Sequence, residues 1–168
     1  MMDKKELLVE LKASYDKIIS EHGLQVSYEE YESLYGLQDA ILKEGYMPYN
    51  LTLYISWRAS EYLYSWYNYF HNILMPQPSS ILHMEESSYV SEEHKIVLRT
   101  EMRKIMAVAR KVNIALALKD NRMAADAINE LTLLWKESTK EIALSTLNMV
   151  KDGWSSVEED DTHASYSY

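Results

Sequence analysis

Residues 51–75, LTLYISWRASEYLYSWYNYFHNILM, hold two Trp, one Phe and five Tyr among aliphatic side chains. At 100° per residue the polar residues are not scattered but follow one another at spacings of three and four, which places them on one side of a helix. These polar residues are Arg58, Glu61, Ser65, Asn68 and Asn72. The rest of the circumference is apolar and wide enough to contact more than one neighbour. The stretch therefore predicts the central helix of an all-α bundle.

The polar seam, defined as the row from Arg58 to Asn72, has two interpretations. A narrow stripe of this kind on a bundle helix usually faces water, with the bordering tyrosines half buried. Alternatively, neighbouring helices roof the seam and turn it into a ligand-binding groove, with Arg58 as the group that binds an anion. The candidate ligand-binding residues are Arg58, Glu61, Asn68, Asn72, Tyr54 and Tyr62. A membrane-spanning helix is excluded because Arg58 and Glu61 near its middle would make insertion costly.

Two helices are predicted before this stretch. Asp3 and Glu6 form a capping box that opens a helix ending near Gly23, and Ser27 and Glu30 repeat the box for a helix ending near Gly45. Gly36 falls inside the second helix, where glycine costs about 1 kcal/mol relative to alanine. Either the helix is interrupted at Gly36 or another group packs against it.

The chain after residue 75 is predicted to form a long connection and then a helical hairpin. Residues 75–90 contain Pro76 and Pro78 and are expected to hold a loop or a short extra helix. Ser91 caps the next helix, which runs to about residue 118. A last helix follows from about residue 121 and is predicted to end at Gly153, antiparallel to its neighbour.

The last helix has a heptad-like apolar row that defines its predicted inner face. This row comprises Ala124, Ile128, Leu131, Trp135, Ser138, Ile142, Ser145 and Met149. At 1.5 Å per residue the helix could be on the order of 45 Å long, which is more than the rest of a small bundle covers. Its apolar side chains occupy more of the circumference than one neighbouring helix covers, which predicts contact with a second chain. The candidate interface residues are Trp135, Ile142, Leu147 and Val150, with the tyrosine-rich helix around Tyr31 and Tyr35 as the alternative interface.

The fold prediction is therefore a single all-α domain of about five helices over residues 1–153, ending in a long antiparallel hairpin. Residues 154–168, WSSVEEDDTHASYSY, are acidic and rich in serine, and are expected to be a disordered tail. The absence of cysteine rules out disulfides and thiolate chemistry, and together with the charged N-terminal segment it predicts a cytoplasmic protein. The excess of tyrosine over phenylalanine, the three glutamines and the absence of cysteine would suit a thermophilic protein.

The motifs of common helical-bundle enzymes are missing from the sequence. No histidine follows a glutamate at the three-residue spacing of di-metal bundles, and there is no glycine-rich phosphate loop. The one acidic and histidine-containing region is His83, Glu85, Glu86, Glu92, Glu93 and His94. These residues are more simply solvated loop side chains than ligands, so we predict no metal, no cofactor and no catalytic residue.

Basic residues concentrate in residues 95–122, although the protein as a whole has a net charge of −9. Lys95, Arg99, Arg103 and Arg110 lie within about 80° on one helix and form a basic stripe. Such a stripe is one signature of nucleic-acid binding. The acidic surface elsewhere would repel a polyanion, so nucleic acid is the less favoured partner.

Three functional hypotheses follow from the sequence. The first is a small non-enzymatic protein that acts through protein contacts and forms a homodimer. The second is a ligand-binding or hydrolytic bundle that uses the polar seam, and the third is nucleic-acid binding through the basic stripe. No resemblance to a known family chooses among them.

Overall fold

The computed structural model describes the backbone of residues 3–161 and the side chains as far as Ser156. It is built from α-helices joined by short connections, with no strand among the described residues, so the predicted all-α class is confirmed. The helices are α1 (Lys4–His22), α2 (Tyr28–Tyr35), α3 (Leu37–Glu44), α4 (Leu51–Leu74), α5 (Ile81–Tyr89), α6 (Glu92–Leu118), α7 (Asn121–Leu134) and α8 (Lys140–Asp161). A π-helical turn, Trp135–Thr139, joins α7 to α8 without a break, so there are seven separate helices in the described part and not five.

Polar caps fix where these helices begin. The Ser27 hydroxyl accepts a hydrogen bond from the Glu30 amide at 3.1 Å, and the Ser91 hydroxyl accepts one from the His94 amide at 3.2 Å. Such bonds satisfy backbone donors that have no partner in the first turn. Both caps agree with the sequence prediction. A third, at Ser80, begins the short helix α5 inside the predicted 75–90 connection.

Gly36 interrupts the helix that the sequence predicted over residues 27–45. Its φ of 60° lies in the left-handed region, which glycine adopts without steric cost, and it ends α2 and begins α3. The Arg58 guanidinium also lies beside it, 3.9 Å from where a Cβ would stand. Interruption and packing therefore both occur at this position.

Helices α4, α6 and α7 pack against one another and form the centre of the bundle. Helices α1–α3 cover one side of α4 and α7, and α5 lies against α4 and α8. The α6–α7 pair is antiparallel, as the ion pair of Lys111 with Glu130 on the following helix shows. None of the described helices has the length and apolar character needed to cross a membrane.

The inner face of the last helix differs from the prediction by one residue. Up to Trp135 the predicted row is buried, but beyond it Ser138, Ile142, Ser145 and Met149 are only half buried. The fully buried residues are instead Thr139, Ala143, Thr146 and Val150, each one position later. A π-helical turn contains one residue more than an α-turn, so it advances the sequence by one position relative to the core.

The predicted helix end at Gly153 is also wrong, since α8 continues to Asp161. Gly153 lies directly against the Tyr89 ring of α5, and an added Cβ would overlap that ring. Trp154 packs edge-on against the same ring, with centroids 5.5 Å apart. The glycine therefore provides space for a neighbouring helix and does not end this one. The first part of the predicted tail, residues 154–161, is therefore helical. Residues 162–168 lie outside the described residues, and disorder there stays a prediction.

Candidate functional site

Arg58, the key residue of the predicted polar seam, binds two backbone carbonyls and also borders a shallow cleft. Its Nε donates to the Tyr35 carbonyl and its Nη2 to the Gly36 carbonyl, both at 3.0 Å. These carbonyls lie at the corner between α2 and α3, where the helix ends and leaves acceptors without intrahelical partners. The guanidinium thus ties this corner to α4. A shallow cleft beside it is lined by α3 residues of both charges, Asp39, Lys43 and Glu44.

The other seam residues are not gathered into one site. Glu61 and Asn68 are exposed and Asn72 is half buried. The Tyr54 hydroxyl donates to Glu44 Oε1 at 2.8 Å, which joins α4 to α3. Tyr62 points inward and packs edge-on against Trp135, with centroids 5.1 Å apart. Along α4 the seam is therefore part solvent-facing stripe and part helix-packing surface.

A chain of aromatic rings crosses the core, and sequence reasoning missed it. Successive ring centroids lie 4.6–5.8 Å apart. The rings, in spatial order, are Tyr15, Tyr31, Tyr35, Tyr62, Trp135 and Trp66. The unusual excess of tyrosine over phenylalanine in the sequence was the available signal.

The buried tyrosine hydroxyls explain why these rings are tyrosines. Tyr15 donates to the Val26 carbonyl at 3.1 Å, and Tyr31 donates to the Ile55 carbonyl at 2.6 Å. Burial raises the pKa of Tyr31 well above its usual value, and it raises the pKa of Tyr35 to about 12. The phenols therefore stay neutral and serve as hydrogen-bond donors. Because Tyr31 and Tyr35 are buried, the alternative interface predicted around them is wrong.

Glu101 of α6 is the one acidic side chain that is fully buried among the described residues. Its Oε1 accepts hydrogen bonds from Ser138 Oγ and Thr139 Oγ1, each at 2.5 Å. Its Oε2 lies 3.2 Å from Lys104 Nζ, an ammonium group that is half exposed. Both hydroxyls belong to the π-helical turn. A buried carboxylate is stable only when paired and hydrogen-bonded, and here the turn and the lysine supply those partners.

A second polar contact joins the same two helices two turns nearer the start of α6. His94 Nε2 lies 2.8 Å from Thr146 Oγ1, and the Thr146 hydroxyl donates to the Ile142 carbonyl at 2.7 Å. The single hydroxyl proton is used in that bond, so Nε2 of neutral His94 must carry the proton it donates to Thr146. Burial lowers the pKa of His94 below its usual value. This contact and the Glu101 cluster both position α8 on α6.

The structure does not bring the acidic and histidine-containing region of residues 83–94 together. His94 is engaged with Thr146, whereas His83 lies on the separate helix α5. Among the residues that the structure describes, no three His, Asp or Glu side chains are placed to hold a metal ion.

The basic stripe of α6 divides into paired and unpaired cations. Lys95 is mostly buried and lies 2.8 Å from Glu92. Arg99, Arg103 and Arg110 are exposed, and no carboxylate within the described residues forms an ion pair with them. The stripe therefore presents three exposed guanidinium groups that have no ion-pair partner among the described side chains.

The predicted interface residues of the last helix have different environments. Trp135 and Val150 are buried in the protein's own core, and Ile142 is half buried. Leu147 is 40% exposed, and Leu144, which belongs to the same side of α8, is 53% exposed. The exposed apolar surface of α8 is thus centred on these two leucines, because the π-helical turn rotates Val150 inward.

The clefts among the described residues are open and shallow. One cleft, of about 830 Å³, lies between α1 and the α2–α3 corner, where Lys12 pairs with Glu29 at 2.7 Å. Comparison with known protein families, with curated proteins and with solved structures finds no match to this chain.

Proposed function

We propose that the protein is a non-catalytic helical bundle that acts through protein contacts and that two copies associate along α8. Two of the polar residues that the sequence offered for ligand binding form contacts within the fold instead. Arg58 binds two backbone carbonyls, and Tyr54 binds Glu44. The part of the protein that remains available for function is its exposed surface.

The observation that supports this proposal is that α8 is buried along only one row of residues. Only Ala143, Thr146 and Val150 are fully buried between Lys140 and Ser156. Leu144 and Leu147 stand one turn apart on the same side and keep 53% and 40% of their surface exposed. A helix buried along a single row, with leucines beside it, has apolar surface that a second chain can cover.

A symmetric contact suits this surface. In a two-fold dimer the same patch meets itself, so the two leucines of each copy would meet the two of the other. Completing the burial of four half-exposed leucines gains on the order of 1 kcal/mol each. Association costs at least about 4 kcal/mol in lost rigid-body freedom, which these leucines only offset. A dimer in the high micromolar range therefore needs about 5 kcal/mol more from the side chains around them, and we expect it to be weak.

Sedimentation velocity over a concentration series from about 5 to 500 µM tests the proposal. The wild type should shift towards a dimer at the upper end, and Leu147→Glu should remain monomeric because it places a charge at a desolvated contact. Leu118→Glu is the matched control, since Leu118 of α6 is 66% exposed and lies away from α8. A wild type that stays monomeric contradicts the dimer. A dimer that Leu147→Glu leaves intact contradicts the α8 interface.

A further inference from the structure

The outer side of the α4–α6 pair combines aromatic rings with arginines. On α4, Trp57 and Tyr64 lie about 180° from Tyr62 and Trp66, the two residues that contact Trp135 near the end of α7. They are therefore turned away from α7 and α8, and they are 45% and 38% exposed. The α2–α3 corner, held by Arg58, borders the other edge of this exposed arc.

The arginines of α6 are turned the same way. Arg99, Arg103 and Arg110 lie within about 40° of one another and about 180° from Glu101, which contacts the π-helical turn. Since α4 and α6 pack along their length and both rows face away from the last helix, the rows border the same surface. We call this surface the arginine–aromatic face. It consists of Trp57, Tyr64, Tyr67, Arg99, Arg103 and Arg110.

Among the described side chains, the lysines near these arginines form ion pairs and the arginines do not. Lys95 pairs with Glu92, Lys104 with Glu101, and Lys111 with Glu130. None of the ion pairs formed by the described side chains includes an arginine. The net result is a row of three guanidinium groups spanning about 16 Å, at 1.5 Å per residue.

Two of the three aromatic rings of the face lie nearly parallel. Tyr64 and Tyr67 stack at an interplanar angle of 5° with centroids 5.3 Å apart. Tyr67 continues the stack to His71 at 20° and 6.3 Å. Core aromatic pairs in this protein are instead tilted or edge-on. A solvent-exposed stack of parallel rings offers flat surfaces onto which further flat rings can pack.

We propose that the arginine–aromatic face binds single-stranded nucleic acid, with the arginines on phosphates and with bases stacked beside Tyr64 and Trp57. Proteins that bind single strands without sequence preference combine a cationic track with aromatic stacking platforms, and both parts are present here. An acidic protein segment would use the arginines but has no need of the stacked rings. The rings therefore favour nucleic acid.

The overall charge of −9 limits how strong this binding can be. Long-range repulsion between the acidic protein and a polyanion slows their encounter, so binding depends on contacts within the face. Three phosphate contacts on a single strand give a slope of log affinity against log salt of about −2. Affinity should then fall roughly 20-fold between about 50 and 200 mM salt.

Fluorescence anisotropy of a labelled oligo(dT) of about 20 nucleotides measures this binding directly. A variant with Arg99→Ala, Arg103→Ala and Arg110→Ala should bind at least ten-fold more weakly and lose most of the salt dependence. Tyr64→Ala should weaken binding about five-fold or more while keeping the salt slope, because it removes stacking and no charge. The matched control replaces Lys4, Lys43 and Lys140 by alanine, which removes the same charge from exposed sites elsewhere.

The binding results of these variants either support or overturn the proposal. Binding that is lost in the arginine variant, weakened in Tyr64→Ala and kept in the lysine control supports it. No binding of the wild type at about 50 mM salt overturns it, and so does equal weakening in the lysine control, which would show unspecific attraction. If the wild type bound an oligoglutamate peptide as tightly as oligo(dT), and Tyr64→Ala bound that peptide as tightly as wild type, the face would be assigned to acidic proteins instead. Circular dichroism of every variant establishes that it is folded.

Discussion

Replacing Arg58 by alanine separates the structural role of this residue from the ligand-binding role that the sequence suggested. The substitution removes two hydrogen bonds from a charged donor, to the carbonyls of Tyr35 and Gly36 at 3.0 Å. Hydrogen bonds to charged groups contribute about 1.5–3 kcal/mol each. Arg58 is half buried, so water can reach the freed carbonyls and recover part of this energy. We expect a loss of about 2–3 kcal/mol in the free energy of unfolding.

Urea denaturation followed by circular dichroism measures this loss. The midpoint should fall with an unchanged slope, and the melting temperature should drop by roughly 5–9 °C for a chain of this size. Arg58→Lys should recover less than half of the stability, because one ammonium group cannot reproduce the planar fork that reaches two carbonyls. Arg103→Ala is the control, since it removes an exposed arginine without an ion-pair partner among the described residues and should change stability by less than about 0.5 kcal/mol. If Arg58→Ala were as stable as Arg103→Ala, the guanidinium would not hold the α2–α3 corner.

Three further outcomes are expected. Gly153→Ala should destabilise the protein despite the higher helix propensity of alanine, because the new Cβ overlaps the Tyr89 ring. The same change should stabilise a Tyr89→Ala variant, and a calorimetric double-mutant cycle checks this reversal of sign. Glu101→Ala should cost about 3 kcal/mol or more in chemical denaturation, because it leaves two hydroxyls of the π-helical turn without their acceptor; a loss below 1 kcal/mol would contradict that role. The pKa of His94 is lowered in the folded state, so the unfolded state binds its proton first; stability should fall as pH drops from about 7 through 6.5 and level off below the lowered pKa, where both states are protonated. A His94→Gln variant should show a flatter stability profile over that range, and an unchanged profile would mean that another group titrates.

The all-α class and several helix boundaries were predictable because they depend on local chemistry. Ser27 and Ser91 cap their helices through hydrogen bonds from amides three residues later, so both partners lie within one short stretch of sequence. Gly36 was recognisable as a problem within a helix. The position of Arg58 beside Gly36 was not predictable, because the two residues lie 22 positions apart and only the packed structure brings them together.

The inner row of the last helix was not predictable, since two rows one residue apart carry similar apolar content. Ile142 and Met149 are larger and more apolar than Ala143 and Thr146, so the sequence favoured the wrong row. The deciding interaction is polar: Glu101 takes hydroxyl hydrogen bonds from two adjacent residues of the turn. The arginine–aromatic face was not predicted for a related reason. The arginines of α6 and the aromatic residues of α4 are each recognisable in the sequence, but that both border one surface is not.

In terms of chain length, the π-helical turn Trp135–Thr139 is equivalent to a one-residue insertion that the helix has absorbed. Deleting the exposed Glu137 would let this turn relax to ordinary α-helix while everything after it kept its place against α6. Ala143 and Val150 would still face inward, and only the pair of hydroxyls around the buried carboxylate would be disturbed. The helix is therefore one residue longer than its packing requires, and the additional residue allows two neighbouring side chains to bind the same carboxylate oxygen.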